Sequence, residues 1–134
     1  MKVLFDTNVI IDALAAREPF RVDAEAILTL AAEDKITGYV TGSALTDIYY
    51  LLRRGLAHEE AIEAIKTLMA ILNVVAVGED ECQEAAISDM RNFEDAVVTV
   101  CAARIQASRD KEFASAGGPV PVLSPTLFLK KWKI

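Results

Sequence analysis

The chain begins with an apolar run that lacks polar alternation, Val3 to Phe5, and an acidic residue, Asp6, ends it. Apolar runs of this kind are typical of parallel strands covered on both faces, so we predict a first strand from Lys2 to Phe5. Apolar residues then recur at helical spacing over Arg21 to Glu33 and again over Glu59 to Leu72. This spacing predicts two amphipathic helices.

The same periodicities, with turn residues between them, predict the remaining elements. Because the strands are separated by helices, we expect a central parallel sheet with right-handed crossovers and a three-layer α/β/α architecture. No interdomain linker is evident, so residues 1–134 are predicted to form a single domain. The other predicted strands are Ile36 to Thr41, Asn73 to Val77 and Val120 to Leu123, and the other predicted helices are a short turn after the first strand, Ser43 to Arg54, Asp80 to Asp89, Phe93 to Ala107 and Pro125 to Lys131, with a loop from Ala114 to Pro119.

Composition narrows the chemistry that this domain can perform. The 134 residues are 53% hydrophobic, with a net charge of −6 that argues against a broad basic face for duplex DNA. No apolar stretch is long enough for a membrane span and no leader precedes the first strand, so we expect a cytoplasmic protein. The single histidine, His58, is expected at the surface or in a cap, which excludes a Ser-His-Asp triad and a histidine-rich zinc centre. Cys82 and Cys101 match no zinc or redox spacing and are interpreted as small buried residues.

Chemistry must therefore rest on carboxylates, of which two follow predicted strands. Asp6 comes directly after the first strand, where ligands bind in open α/β sheets, although aspartate also favours turns and helix caps. Asp47 lies in the helix after the second strand, on the flank of its buried face beside Tyr50 and Arg54. A solvated surface acid paired with a nearby basic residue is the alternative for Asp47.

Two further acids lie near the end of the predicted core. Asn92 is a predicted N-cap, which places Asp95 at the third position of an otherwise apolar helix, where an acid favours the positive end of the helix dipole. A capping acid and a metal-binding acid are compatible roles for one residue. We expect Glu94 to point elsewhere, into solvent. Asp110 precedes a polar loop, and loop chemistry alone would account for it.

The order of these acids matters more than any one of them. Each falls just after a strand or near the start of a helix, so in a parallel sheet all four are expected to converge on one edge. Clustered carboxylates repel each other, and a hard divalent cation with oxygen ligands is the usual remedy. Mg²⁺, which retains water and takes few carboxylates, suits a phosphate-ester substrate.

Taken together, these segments resemble a PIN domain, a family of metal-dependent nucleases that includes the VapC-type toxins of toxin–antitoxin pairs. The matching pieces occur in the family's order over nearly the whole chain: Phe5 to Ile10, Ser43 to Leu52, Phe93 to Ala96, Ser108 to Asp110 and Pro121 to Pro125.

The resemblance implies that Asp6, Asp47, Asp95 and Asp110 bind Mg²⁺ or Mn²⁺, with Thr7, Asn8 and Ser43 as hydrogen-bonding support. It further implies cleavage of single-stranded RNA to 5′-phosphate and 3′-hydroxyl ends, a cognate antitoxin and a homodimer. The second acid is often glutamate in the family and is aspartate here. Relatives place an extra strand before the fourth acid, whereas in this chain Arg104 to Ser108 must end the helix, form that strand, or do both. We therefore expect a fourth strand that is stunted or absent.

Two other functions remain open at this point. A phosphoacceptor receiver domain also has an acidic metal site, but it needs an acid directly after its third strand, where this chain has Gly78. A PIN-like domain that lacks catalysis and serves as a binding module is the second alternative. Candidates for phosphate contacts are Arg53, Arg54, Arg109 and Lys111, each of which could equally be solvated or paired with nearby acids.

Overall fold

Three short parallel strands form the centre of the molecule. The structure is a computed structural model that describes the backbone of residues 1–107 and the side chains of residues 1–105. The strands are β1 (Lys2–Leu4), β2 (Thr37–Thr41) and β3 (Asn73–Val75), in the spatial order β1-β2-β3. Both neighbouring pairs are parallel, with Val3 opposite Gly38 and Tyr39 opposite Asn73. The predicted parallel sheet is confirmed.

Helices connect the strands and cover the sheet on both faces. They are α1 (Thr7–Leu14), α2 (Arg21–Ala32), α3 (Gly42–Leu52), α4 (His58–Ile71), α5 (Glu79–Ala86) and α6 (Phe93–Ala107). The short helical turn predicted after the first strand is confirmed as helical but is longer than expected, because Ile10, Ile11 and Ala13 are buried at helical spacing and make α1 an eight-residue helix. The other bounds differ from the predicted ones by a few residues at most.

Two apolar clusters lie on opposite faces of the sheet and produce the three layers. The larger cluster joins α1, α2, α3 and α4 to the sheet and contains Phe5, Val40 and Ile48. The smaller one contains Val97 and Cys101 of α6, packed against partly buried residues that include Leu4 and Val75. Burial of β1 on both faces explains why its sequence is apolar without alternation.

Gly38 allows the sheet and its helices to pack closely. A Cβ atom at this position of β2 would overlap the Leu72 side chain and approach Phe5 Cε1 at 3.1 Å and Ala31 Cβ at 3.2 Å. Glycine is therefore required here by a close approach, and no positive φ angle is involved.

The last described helix settles part of the question about a fourth strand. Since α6 continues to Ala107, the residues from Arg104 to Ala107 are helical and do not form a strand. The predicted strand Val120 to Leu123, the helix Pro125 to Lys131 and the loop Ala114 to Pro119 lie outside the described residues. Over residues 1–107, no helix has both the length and the apolar character that a membrane crossing requires.

Candidate active site

Asp6 lies at the junction between β1 and α1. It occupies the N-cap position of α1, with an extended backbone (φ −78°, ψ 153°), and its carbonyl accepts a hydrogen bond from Ile10 N at 3.4 Å. Its carboxylate makes no capping hydrogen bond to the helix. The purely structural explanation for this acid, a helix cap, is therefore not realised, and the carboxylate is available to another partner.

Asp47 lies in the second turn of α3, which begins directly after β2. The cap of this helix is Thr41, whose Oγ1 accepts a hydrogen bond from Ala44 N at 3.2 Å and lies 3.3 Å from Ser43 Oγ. Asp47 is exposed and forms no ion pair within residues 1–107. Because β1 and β2 are adjacent and parallel, α1 and α3 start at the same edge of the sheet.

Asn92 fixes the start of α6 and thereby the position of Asp95. Asn92 Oδ1 accepts a hydrogen bond from Asp95 N at 3.1 Å, and Asn92 O accepts one from Ala96 N at 3.0 Å. The predicted N-cap is confirmed. Lys2 Nζ, at the start of β1, donates a hydrogen bond to Ile105 O, near the end of α6, at 3.4 Å, so the first turn of α6, with Glu94 and Asp95, lies toward the other end of β1, where Asp6 follows the strand.

Glu94 reveals that these acids share one neighbourhood. Although much of its surface is exposed, partial removal of water from its carboxylate raises its pKa, and the charges of Asp47, Asp6 and Asp95 raise it further, in that order. The expected exposure of Glu94 is confirmed, and its carboxylate is nevertheless influenced by the charges of acids on two other elements. We call Asp6, Asp47, Glu94 and Asp95 the acid cluster.

The acid cluster offers oxygen ligands but no preformed cage. Within residues 1–107, no group of three or more His, Cys, Asp or Glu side chains is placed so that it could hold a metal ion. Asp110 lies outside the described residues. Mg²⁺ often binds through only one or two carboxylates and fills its octahedron with water and substrate phosphate. The donor chemistry of the cluster therefore fits a hydrated divalent cation with few direct protein ligands.

The residues predicted to support the acids by hydrogen bonding differ in their burial and contacts. The Ser43 hydroxyl lies beside Thr41 in the cap of α3, Thr7 is buried in the first turn of α1, and Asn8 is exposed. Their role in orienting the acids stays a prediction.

Three arginines lack carboxylate partners among residues 1–107. Within residues 1–107, Arg53 and Arg54 at the end of α3 and Arg91 before α6 form no ion pair. By contrast, Arg17, Arg21 and Arg104 each pair with at least one acid, at distances of 2.6–3.5 Å. Arg91 was not predicted as a phosphate contact, because its lack of a partner is a property of the fold. The predicted contacts Arg109 and Lys111 lie outside the described residues.

A separate pocket lies between the sheet and α5 and α6, and none of the acid cluster lines it. It measures about 270 Å³ and is lined by Tyr39, Val75, Ala76, Glu81, Cys101, Arg104 and Ile105. Burial, followed by the charge of Glu81, raises the pKa of the Cys101 thiol, so this cysteine is a poor nucleophile at neutral pH. Cys101 is buried as predicted, whereas Cys82 is only partly buried.

Comparison with known proteins agrees with this fold. A family model described as the PIN domain matches residues 2–109. The fold is similar to that of Mycobacterium tuberculosis VapC20, a sarcin–ricin loop cleaving toxin, with a TM-score of 0.63, 20% identity, and coverage of 91% of this chain and 98% of that one. It is also similar to VapBC2 of Rickettsia felis, solved bound to a DNA fragment from its promoter, with a TM-score of 0.57, 12% identity and coverage of 86% and 92%. No curated protein matches the sequence significantly.

Proposed function

We propose that this chain, which belongs to the PIN-domain family, is a metal-dependent endoribonuclease that cleaves single-stranded RNA at the acid cluster. The observation that supports this proposal most directly is that β1 and β2 are adjacent and parallel, so Asp6 and the start of α3, the helix that carries Asp47, lie at one edge of the sheet. In addition, the charges of Asp47, Asp6 and Asp95 contribute, after partial burial, to the raised pKa of Glu94, and Asp6 makes no capping bond although it occupies a cap position.

The acids would have different roles according to their positions. In the proposed site, Asp6 and Asp95 hold Mg²⁺ or Mn²⁺, and Asp47 and Asp110 contribute directly or through water. A divalent cation bound there would lower the pKa of a bound water and stabilise charge on the phosphate oxygens. Arg53, Arg54 and Arg91, which have no acidic partner among residues 1–107, would bind flanking phosphates. The expected products carry a 5′-phosphate and a 3′-hydroxyl.

The structural neighbours suggest a biological setting for this activity. One is described as a toxin that cleaves the sarcin–ricin loop and the other as a VapBC complex bound to promoter DNA. By extension, we propose that this chain is the toxin of a toxin–antitoxin pair, active in the cytoplasm as a homodimer and inhibited by a protein antitoxin.

A catalytically impaired PIN-like binding module is the second candidate. It is favoured by one observation, namely that within residues 1–107 no three potential ligands are placed to hold a metal ion. Such a module would bind RNA through the same arginines without cleaving it.

A cleavage assay separates the two candidates. Purified protein is incubated with end-labelled single-stranded RNA, and with DNA of the same sequence, in Mn²⁺, in Mg²⁺ and in chelator. The nuclease proposal expects cleavage of RNA only when metal is present, with products that a 5′-phosphate-dependent exonuclease degrades. RNA binding without cleavage in either metal would support the binding module, and cleavage in chelator would contradict metal dependence.

A further inference from the structure

Tyr50 presents a large aromatic ring one helical turn from the acid cluster. Its side chain is 68% exposed, and it lies three residues after Asp47 on α3. Residues three and four apart on a helix are neighbours, with Cβ atoms about 5–6 Å apart. Tyr50 therefore lies beside Asp47, on the same side of the helix.

Arg54 continues this side of α3 beyond the helix. The chain keeps its helical winding there, since Arg53 N donates to Tyr49 O at 3.0 Å and Arg54 N donates to Leu51 O at 3.3 Å. Arg54 lies four residues after Tyr50 and has no acidic partner within residues 1–107. We call Asp47, Tyr50 and Arg54 the α3 strip, in which an acid, an aromatic ring and a guanidinium follow one another.

The Tyr50 ring is supported from beneath by a second aromatic residue. The rings of Tyr49 and Tyr50 meet edge to face, with centroids 5.4 Å apart and an interplanar angle of 76°. Tyr49 is anchored to the first residue of α4, because its hydroxyl lies 2.8 Å from His58 Nδ1. The contact with Tyr49 restricts the exposed ring of Tyr50, which reduces the conformational entropy that Tyr50 loses when a ligand stacks on it.

A single exposed apolar side chain needs no explanation by itself, because folded proteins commonly expose some. The position of Tyr50, however, requires an explanation. In a chain with a net charge of −6, it stands between an acid of the proposed site and an arginine that no described acid neutralises. An aromatic face next to a free cation is the arrangement that binds single-stranded nucleic acid, in which bases stack and phosphates pair with arginine.

We propose that Tyr50 stacks against one base of a bound RNA strand and that Arg54 contacts a phosphate of the same strand. The phosphodiester that is cleaved in this strand lies at the acid cluster. The inference rests on the proposed ribonuclease function and adds the direction of the bound strand, which runs from the acids along α3. Stacking on one ring tolerates any base, because every base has a π-face. Tyr50 thus contributes affinity, and sequence preference must come from other contacts.

The test uses short single-stranded RNAs that carry 2-aminopurine, whose fluorescence is quenched when the base stacks. Binding is measured in chelator, where the proposed reaction cannot proceed, with the fluorophore placed at successive positions. We expect quenching at one position, loss of that quenching in Tyr50→Ala with affinity weakened roughly fivefold to a hundredfold, and recovery of both in Tyr50→Phe. Arg54→Ala should weaken binding and lower the salt dependence by about one ion.

Phe20→Ala is the matched control, because Phe20 is also an exposed ring, 57% accessible, but lies next to α2, which carries none of the acid cluster. It should bind RNA as the wild type does.

Wild-type affinity and quenching in Tyr50→Ala would overturn the inference. A change of oligomeric state in Tyr50→Ala by light scattering, with quenching intact, would also overturn it and assign Tyr50 to a contact between copies. Tyr50-dependent quenching in a protein that never cleaves RNA would support stacking while refuting the nuclease.

Discussion

The charge of Asp47 acts on the carboxylate of Glu94 although the two residues belong to different helices: partial burial and then the charge of Asp47 raise the pKa of Glu94. The sheet explains their proximity. α3 starts after β2, and the end of α6 lies at the start of the neighbouring strand β1, so the first two turns of α3 and the first turn of α6 lie toward the same edge. Like charges at short range cost stability, and nothing in the described packing requires them. Their concentration at this edge is therefore attributed to function.

Removing the charge of Glu94 should relieve part of this repulsion. We expect Glu94→Gln to have a higher Tm in chelator at neutral pH than Glu59→Gln, the matched control. Glu59 lies in the first turn of α4, so both substitutions lose the same favourable interaction with a helix dipole, but only Glu94 is repelled by the acid cluster. Equal Tm values for the two variants would show that the cluster exerts no strain on Glu94.

Asp6 and Asn92 should differ as helix caps. Asn92 Oδ1 accepts a hydrogen bond from Asp95 N, whereas the Asp6 carboxylate makes no capping bond. Asn92→Ala should therefore lower the free energy of unfolding by about 1 kcal/mol, and Asp6→Ala by much less. Urea denaturation in chelator measures both values. A comparable loss in Asp6→Ala would assign Asp6 a structural role.

The packing around β2 predicts that Gly38 does not tolerate a side chain. Gly38→Ala should destabilise the protein by about 1–3 kcal/mol, because the added methyl overlaps Leu72 and the neighbouring core is full. Gly55→Ala is the control, since a Cβ there meets nothing within 4 Å. Urea melts that show equal stability for the two variants would contradict the close approach of β2 to α4.

Asp110 is expected to contribute less than the other acids. Since Arg104 to Ala107 are helical, these residues do not form the strand of about five residues that relatives place before the fourth acid. We predict that Asp110→Ala reduces RNA cleavage far less than Asp6→Ala or Asp95→Ala, as measured by initial rates in Mn²⁺. An equal loss of rate in all three variants would show that Asp110 is a full member of the site.

Much of this fold could be predicted from sequence because the relevant signals are local. The apolar run at Val3 identified β1, and the cap at Asn92 identified the start of α6, since neither depends on distant contacts. The parallel arrangement then placed Asp6 and Asp47 at one edge of the sheet.

The features that were missed depend on how elements pack. Glu94 and Asp95 are adjacent on a helix and point about 100° apart, so their positions relative to the other acids depend on the rotation of α6 on β1. The lack of a partner for Arg91 likewise depends on the positions of acids far away in sequence. The length of α1 was underestimated because its start contains the turn-favouring residues Asp6 and Asn8.

The central claim is that the acid cluster performs metal-dependent chemistry, and the most direct measurement compares RNA cleavage in Mn²⁺ by the wild type, Asp6→Asn and Asp34→Asn. Asp34 precedes β2, at the opposite edge of the sheet, and its positive φ of 58° is one that asparagine also accepts, so the control makes the same chemical change without touching the cluster. We predict that Asp6→Asn abolishes cleavage while its Tm in chelator stays at or above that of the wild type, and that Asp34→Asn cleaves normally. Cleavage by Asp6→Asn at the wild-type rate would contradict the account.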